Sequence, residues 1–368
     1  MNNIKLISLK MGQVNIHFKN GLNYILGGNA SGKTTIFNCI RYSLGLDKSF
    51  THNSFSNIEL NIAFNEREIC CCREIGSALI RVNEKENIKE FKAQTLEWDN
   101  YLKELLSLEY IYQSNSESAL TILDFCFLSE MKSTNRRKQW DAINSICGIN
   151  MSMLRVVEND IANLRKEVAQ NKKFKSIIED FSNKLLANLD THKQANIPQR
   201  CVEDTKGSFF DSYKEKENLL LNAILKFAEI KQNSNQELTR KISEIERVFL
   251  NINNHVGFYR EEFEGLENFI KNKSTSMSFG AETYSRFLIT LSIAIISQEE
   301  LFNFPNFIIS DSYLAVNDNR TYAEAVTILK SLTSNNANLQ YIEFTNRRDV
   351  PTEHVVLDLY TQGDIHVY

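Results

Sequence analysis

Eight consecutive residues, Gly27-Gly28-Asn29-Ala30-Ser31-Gly32-Lys33-Thr34, have the spacing of a complete Walker A sequence. Its glycines let backbone N–H groups curl around an anion where no side chain intrudes. Lys33 is placed to reach the β- and γ-phosphates of a nucleotide, and the hydroxyl of Thr34, with Thr35 next to it, to ligate Mg²⁺. The motif needs a strand before it and a helix after it. Leu22–Leu26 is a short apolar run leading straight into Gly27, and Thr34–Leu44 has helical spacing (Ile36, Ile40, Leu44) closing at Gly45. The positive end of that helix adds to the anion site. The chemistry implied is binding of Mg·ATP.

Two further patterns extend this chemistry. Asn306-Phe307-Ile308-Ile309-Ser310 is an apolar strand that ends in Asp311, the arrangement of a Walker B carboxylate that holds Mg²⁺ through water. Ser276-Met277-Ser278-Phe279-Gly280-Ala281-Glu282 precedes a second apolar helix, Tyr284–Ser297. Ser278 and that helix's N-terminus could cradle a γ-phosphate. Read alone, Ser278 with Glu282 could also be a capping box.

Together the three patterns resemble the SMC/RecN-like branch of the ABC ATPases, which includes the ATPase of the double-strand-break repair nuclease complex and many small bacterial defence ATPases. The resemblance covers about residues 1–150 and 270–368. It implies an α/β fold: a P-loop head with a mixed sheet and an antiparallel β-layer, built from both chain ends around a coiled-coil insertion. It makes Ser278, Gly280 and Glu282 the signature, and Gln113 the Q-loop glutamine that couples Mg²⁺ to movement. Val316-Asn317-Asp318 falls where a D-loop is expected, and Asn346 where a switch histidine is expected. It also implies a homodimer with ATP sandwiched between heads, because Walker A and signature lie on opposite faces of one head. A separate effector or nuclease subunit and DNA are the implied partners.

Two departures stand out. Ser312 follows Asp311 where the branch has its catalytic Glu, and loss of a positioned base costs roughly 10²–10⁴-fold in rate. Hydrolysis would then be slow, or would recruit a carboxylate such as Asp318. Cys201 stands alone, so no zinc hook is expected. Two functions remain open. One is an ATPase that closes on ATP and senses or tethers DNA to control an effector, in repair or anti-phage defence. The other is an ATP-locked scaffold.

The elements that position these residues follow from pattern. Ile4–Leu9, Val14–Phe18, Ile58–Phe64, Glu68–Arg73 and Ala78–Val82 alternate as strands. From Met151 the apolar residues Leu154, Val157, Ile161, Leu164 and Val168 fall 3 and 4 apart, a coiled-coil seam. Its phase slips near Asn171 and resumes at Phe174, Ile178, Phe181 and Leu185. Asn196–Ser208, with Pro198 and Gly207, reads as a turn before a second helical run to Ile252. The expected domains are 1–150, a helical insertion at 151–269, and 270–368. Arms of about 40 residues would reach roughly 60 Å if the hairpin protrudes; a compact helical subdomain is the other arrangement. Tyr322–Leu332 reads as a helix, Leu339–Phe344 as a strand, and Val355–Tyr368 as a hairpin turning at Gln362, Gly363 and Asp364.

Among 368 residues, 42% are hydrophobic, enough for a large core, and the net charge is −4. That balance excludes a generally basic surface, so DNA contact would be local. Arg136-Arg137-Lys138 and Lys172, Lys173 and Lys175 could meet phosphates or simply be solvated; Arg347 and Arg348 could face a partner head. Seven scattered cysteines fit neither a disulfide framework nor zinc spacing, and Cys70-Cys71-Cys72 reads as buried or edge packing in a strand rather than as metal ligands. The N-terminus reads as neither signal peptide nor membrane anchor, which places the protein in the cytoplasm with no membrane partner.

Overall fold

Gly21–Leu26 (β3) is buried along almost its whole length, as a strand covered on both faces must be. In the computed structural model it lies inside a parallel sheet ordered β11-β3-β10-β9-β8, with β8 Phe127–Ser129, β9 Phe307–Asp311, β10 Gln340–Thr345 and β11 Val355–Asp358. The structure describes residues 4–65, 67–85, 87–106, 118–129, 136–147, 151–189, 196–256, 266, 279–297, 304–312, 319–335 and 339–362. Register sets the level of the strand ends: Leu26 pairs with Thr345, and Asp311 with Phe344. The phosphate loop, Asp311 and the segment after Thr345 therefore leave one carboxyl edge together, where ligands of open parallel sheets bind.

Helices cover both faces. The helix α1 (Lys33–Ser43) brings Phe37 edge-on to Phe127 and Phe344 at 5.5 and 5.9 Å. On the face carrying Tyr341, one residue out of phase with Phe344, Phe287 meets the Tyr341 ring at 6.3 Å.

The second sheet is antiparallel, β2-β1-β4-β5-β6-β7, from β1 Ile4–Met11, β2 Val14–His17, β4 Asn57–Phe64, β5 Arg67–Glu74, β6 Leu79–Glu84 and β7 Asn87–Lys92. Period-2 alternation decides its faces: Ile58, Leu60, Ile62 and Phe64 are buried, while Glu59 and Asn61 face outward. Gln340 joins the two sheets. Its side chain accepts from Leu6 N at 2.9 Å and donates to the Leu6 and Lys19 carbonyls, each at 3.0 Å. Arg73, fully enclosed, donates to the Tyr42, Asp47 and Lys48 carbonyls at 2.6, 2.8 and 2.7 Å, which ties the end of α1 to β5.

Helices that periodicity did not pick out fill the space between: α2 (Leu96–Leu105), capped by Thr95, α3 (Ser118–Phe125) and α4 (Arg136–Ile146). In α2, Asp99 and Lys103 form a wholly buried ion pair at 2.8 Å, with Asp99 also accepting from Leu120 N. Such a pair persists only because both partners are present.

The chain divides into two compact units, residues 1–149 with 238–368, and residues 150–237. The second contains α5 (Met151–Leu189) and most of α6 (Asn196–Val256). Within it Ile161 and Tyr213 are buried, Lys216 pairs with Glu167 at 2.9 Å, and Lys175 lies over the Phe210 and Tyr213 rings. Farther along α6, Ile245, Phe249 and Ile252 belong to the large core of the first unit.

Several sequence expectations change here. The α5 seam has no phase slip. It runs through Val157, Ile161, Leu164, Val168, Asn171, Lys175, Ile178, Ser182 and Leu185 at continuous 3 and 4 spacing, all less exposed than their neighbours or level with them. Phe174 and Phe181, expected on it, are 56% and 62% exposed. Polar residues at seam positions hid the true register. Asn196–Ser208 is helical rather than a turn: Pro198 falls in the first turn, where no N–H is needed, and Gly207 is carried inside α6. Val355–Tyr368 is not a hairpin. β11 pairs in parallel with β3, and α9 (Leu359–Gln362) follows at once, with Asp358 accepting from Tyr360 N at 2.9 Å. Gly363 and Asp364 lie outside the described residues. Helix α7 spans Phe279–Ile296 and α8 Asn319–Asn335, each longer than its apolar stretch. Among the described residues no helix is long and apolar enough to cross a membrane.

Glu343, in the middle of β10, is fully buried among tyrosines, and Tyr341 donates to its Oε2 at 3.4 Å. Burial pushes its carboxyl up to about 8, against weaker opposition from Tyr341 and Arg347. At neutral pH it is a neutral acid, which is how the core tolerates it.

Two predictions follow from packing and burial. Gly45 ends α1 at φ +73°, and a Cβ there would lie 2.5 Å from Trp98 Nε1 and 2.6 Å from Ile80 Cδ1. Gly45→Ala should lower the unfolding free energy by about 2–4 kcal/mol in urea titrations, combining overpacking with left-handed strain. For Glu343 the sign is set by proton uptake. Between its ordinary range near 4.5 and about 8 the folded chain holds a proton that the unfolded chain has released, so this group's stabilisation falls as pH rises through that window. Glu343→Gln should flatten that slope; parallel slopes for both chains would contradict the assignment.

Candidate functional site

The loop after β3 is built by close backbone approach. Gly27 N donates to the Thr345 carbonyl at 3.2 Å, continuing the β3–β10 ladder one step past the strand. A Cβ on Gly27 would stand 2.2 Å from Ser31 Oγ, so only glycine fits. Ala30 and Gly32 take φ of +62° and +97°, curling the loop, and α1 starts with no side-chain cap on its N–H groups. Those donors are left for an anion.

Ser31 tests whether a phosphate fits. It is 1% exposed, and its Oγ has no hydrogen-bond partner. A buried hydroxyl left so costs about 1–3 kcal/mol, which a phosphate oxygen at this loop would recover. Lys33 Nζ lies across the loop, donating to the Gly27 and Gly28 carbonyls at 2.7 and 2.6 Å. The glycine cradle, the orphan hydroxyl and the inward lysine all fit a nucleotide's phosphates.

Asp311 sits at the tip of β9, largely buried. Burial raises its carboxyl above the ordinary range, while a hydrogen bond with Thr34 and the charge of Lys33 pull the other way. The contact brings the Thr34 hydroxyl, otherwise exposed, to the Asp311 carboxylate. These are two of the three residues that sequence assigned to Mg²⁺; the third, Gln113, lies outside the described residues. Among the described residues no group of three acidic, His or Cys side chains could hold a metal. Mg²⁺ does not need one, since it takes one or two protein oxygens and fills the rest with phosphate and water.

Ser312 is held in a left-handed turn, φ +57°. Its N–H and its hydroxyl both donate to the Phe344 carbonyl, at 2.8 and 3.1 Å. The hydroxyl's proton is thus committed to a backbone oxygen. Asn346 is exposed, and its carbonyl accepts from Tyr360 OH at 3.1 Å. Arg347 lies over the Tyr322 ring at 4.0 Å and Arg348 over Tyr360 at 4.1 Å, so both arginines are packed on aromatic faces.

The structure therefore gathers Gly27–Thr35, Asp311, Ser312 and Asn346 along one sheet edge. Gln113, Ser278 and Asp318 lie outside the described residues; Gly280 and Glu282 fall in the first turn of α7. Residues that sequence reading passed over are Leu359 and Tyr360. A Cβ on Gly27 would meet Leu359 Cβ at 3.2 Å, and one on Gly28 would lie 3.5 Å from Tyr360 Cε1, so the short helix α9 backs the phosphate loop. Asp358, a cap residue before an apolar pair, was the only signal for it.

Comparison with known proteins agrees with this geometry. The Smc head domain of Pyrococcus furiosus, solved with an extended coiled coil and bound to the C-terminal domain of ScpA, is similar over 94% of this chain and 90% of its own, with a TM-score of 0.62 at 15% identity. The Smc head domain of Pyrococcus yayanosii, with a coiled coil and joint, is similar over 94% and 92%, with a TM-score of 0.56 at 15% identity. No curated protein matches. A family model described as an AAA domain, AAA_23, matches residues 1–343. The chain belongs to that AAA-domain family and has the fold of these Smc head domains with their coiled coil.

Proposed function

We propose that this chain binds Mg·ATP on Gly27–Thr35 and closes against a second copy, whose Ser278, Gly280 and Glu282 complete the site. The observation that carries the reading is the Thr34–Asp311 contact beside Lys33 and the unpartnered Ser31 hydroxyl. ATP-bound Mg²⁺ would neutralise charge on the phosphate oxygens. Lys33 exchanges the Gly27 and Gly28 carbonyls for phosphate oxygens, and Ser31 gains the acceptor it lacks. Thr34 and Asp311 would hold the metal, and Gln113 is the further residue assigned to it. Asn346 stands where a polar side chain can orient water.

Ser312 cannot take a proton from water near neutral pH, because a hydroxyl is too weak a base and this one already donates to Phe344 O. Turnover is accordingly slow and the closed dimer long-lived. The head comprises residues 1–149 and 238–368, and the helical unit at 150–237 responds to closure. The partners are DNA and a separate effector or nuclease subunit, in repair or anti-phage defence in the cytoplasm. A bound subunit is in keeping with the P. furiosus head, which carries part of ScpA. The hydrogen bond from Ser312 also favours a second reading, an ATP-locked scaffold with negligible hydrolysis. Phosphate release with and without DNA separates the two.

Lys33→Ala should weaken fluorescent-nucleotide binding at least tenfold, or about 1.4 kcal/mol. Unchanged affinity would refute the nucleotide site. Ser278→Arg should keep that affinity yet lose ATP-dependent dimerisation in light scattering, with any turnover lost alongside it. A variant that still dimerises normally on ATP would sink the composite site.

A further inference from the structure

The outward face of the antiparallel sheet holds a cluster that the nucleotide chemistry does not use. Register aligns one row across it: Lys10, Glu59, Cys72, Arg81 and Glu90. Lys10 pairs with Glu59 at 3.6 Å and Arg81 with Glu90 at 3.0 Å, so the charges flanking Cys72 have partners of their own. The next row places Cys70 between Asn61 and Asn83. Cys71, between the two, points into the core, while Cys70 and Cys72 are half-buried on the open face. The expected packing in a strand is thus seen at all three, with Cys71 in the core and Cys70 and Cys72 on the half-buried face.

Two distances give the pair a use. Cys70 Sγ and Cys72 Sγ are 3.4 Å apart, and Asn83 Nδ2 donates to Cys72 Sγ at 3.6 Å. Asn83 Oδ1 is left buried with no partner. An orphan carbonyl oxygen on the amide whose nitrogen meets Cys72 Sγ calls for a cation or a donor.

Strand geometry argues against a direct disulfide. Residues i and i+2 of a strand are held about 6.6 Å apart at Cα, near the outer limit that a disulfide spans. Strand β5 is paired on both sides, by β4 and β6, so its backbone resists the closure. A bridging atom removes the difficulty. With metal–sulfur bonds of about 2.3 Å and the tetrahedral angle of about 109°, two sulfurs lie about 3.8 Å apart. The observed 3.4 Å is close enough that small side-chain rotations reach it.

We propose that Cys70, Cys72 and the side-chain carbonyl of Asn83 form a site for a thiophilic divalent cation of the Zn²⁺ or Cd²⁺ kind. On binding, each thiol releases its proton to solvent as its metal–sulfur bond forms, and nothing is oxidised. The Asn83 amide oxygen gains a partner while its Nδ2 goes on donating to the Cys72 sulfur. Among the described residues no third His, Cys, Asp or Glu joins the pair, so solvent completes the coordination and the ion exchanges freely. Two-sulfur coordination suits soft ions and excludes Mg²⁺, which keeps this site chemically distinct from the nucleotide's.

The test uses the full chain with Cys201→Ser, which removes the exposed thiol. Cd²⁺ titration should raise a thiolate–cadmium charge-transfer absorption that saturates at one equivalent. Cys70→Ser and Cys72→Ser should each abolish it, and Asn83→Ala should weaken binding about tenfold. Absence of the band in the Cys201→Ser chain, or its survival in either serine variant, overturns the proposal. Should the serine variants not fold, alkylation of the unsubstituted chain decides. One equivalent of Cd²⁺ should protect Cys70 and Cys72 from N-ethylmaleimide in peptide mass spectra and leave Cys201 reactive; equal labelling with and without Cd²⁺ overturns it.

Discussion

One strand holds both halves of the nucleotide chemistry in place. β10 is buried along its whole length between β3 and β9, and its last carbonyls reach beyond the ladder on either side. The Thr345 carbonyl takes Gly27 N, and the Phe344 carbonyl takes both donors of Ser312. The phosphate loop and the turn after Asp311 are thus anchored to adjacent residues of the same backbone. At the opposite end, Gln340 hydrogen-bonds Leu6 and Lys19, fixing the antiparallel sheet to the same strand. A shift of β10 by one residue would turn its core face over and separate Lys33 from Asp311.

The electrostatics of this core follow one rule in three forms. Asp99 and Lys103 are tolerated in burial because each is the other's partner. Glu343 has no such partner and is held neutral. Lys33 and Asp311 lie between these cases: partly enclosed, of opposite sign, and connected through Thr34. Beside this last pair lie an uncapped helix N-terminus and the unpartnered Ser31 hydroxyl, the two features on which its reading as a binding site rests.

Most of the site was legible because its residues are consecutive. Glycines, lysine and threonine at fixed offsets carry their own geometry, and Asp311 ends a run too apolar to be anything but a covered strand. What escaped depends on contacts distant in sequence. Nothing near Tyr360 predicts that it would lie beside Gly28. The α5 seam was misread at Phe174 and Phe181 because Asn171, Lys175 and Ser182 occupy inward positions where apolar residues were sought. Lys175 manages this by laying its stem and ammonium along the Phe210 and Tyr213 rings. The turn expected at Pro198 failed for a local reason, since proline is as much at home in a helix's first turn as in a loop.

The neighbours of β3 have a consequence for biosynthesis. Both strands flanking it come from the far end of the chain, β10 at Gln340–Thr345 and β11 at Val355–Asp358. The backbone partner of Gly27 and the side chains behind the phosphate loop are translated more than three hundred residues after the loop itself. During elongation at about 5–20 residues per second, the nascent loop would wait on the order of twenty seconds to a minute without its sheet. Over that interval β3 is an apolar strand with two open edges, which are sticky until covered. A complete loop would therefore arrive late and all at once, leaving a truncated or stalled chain without it.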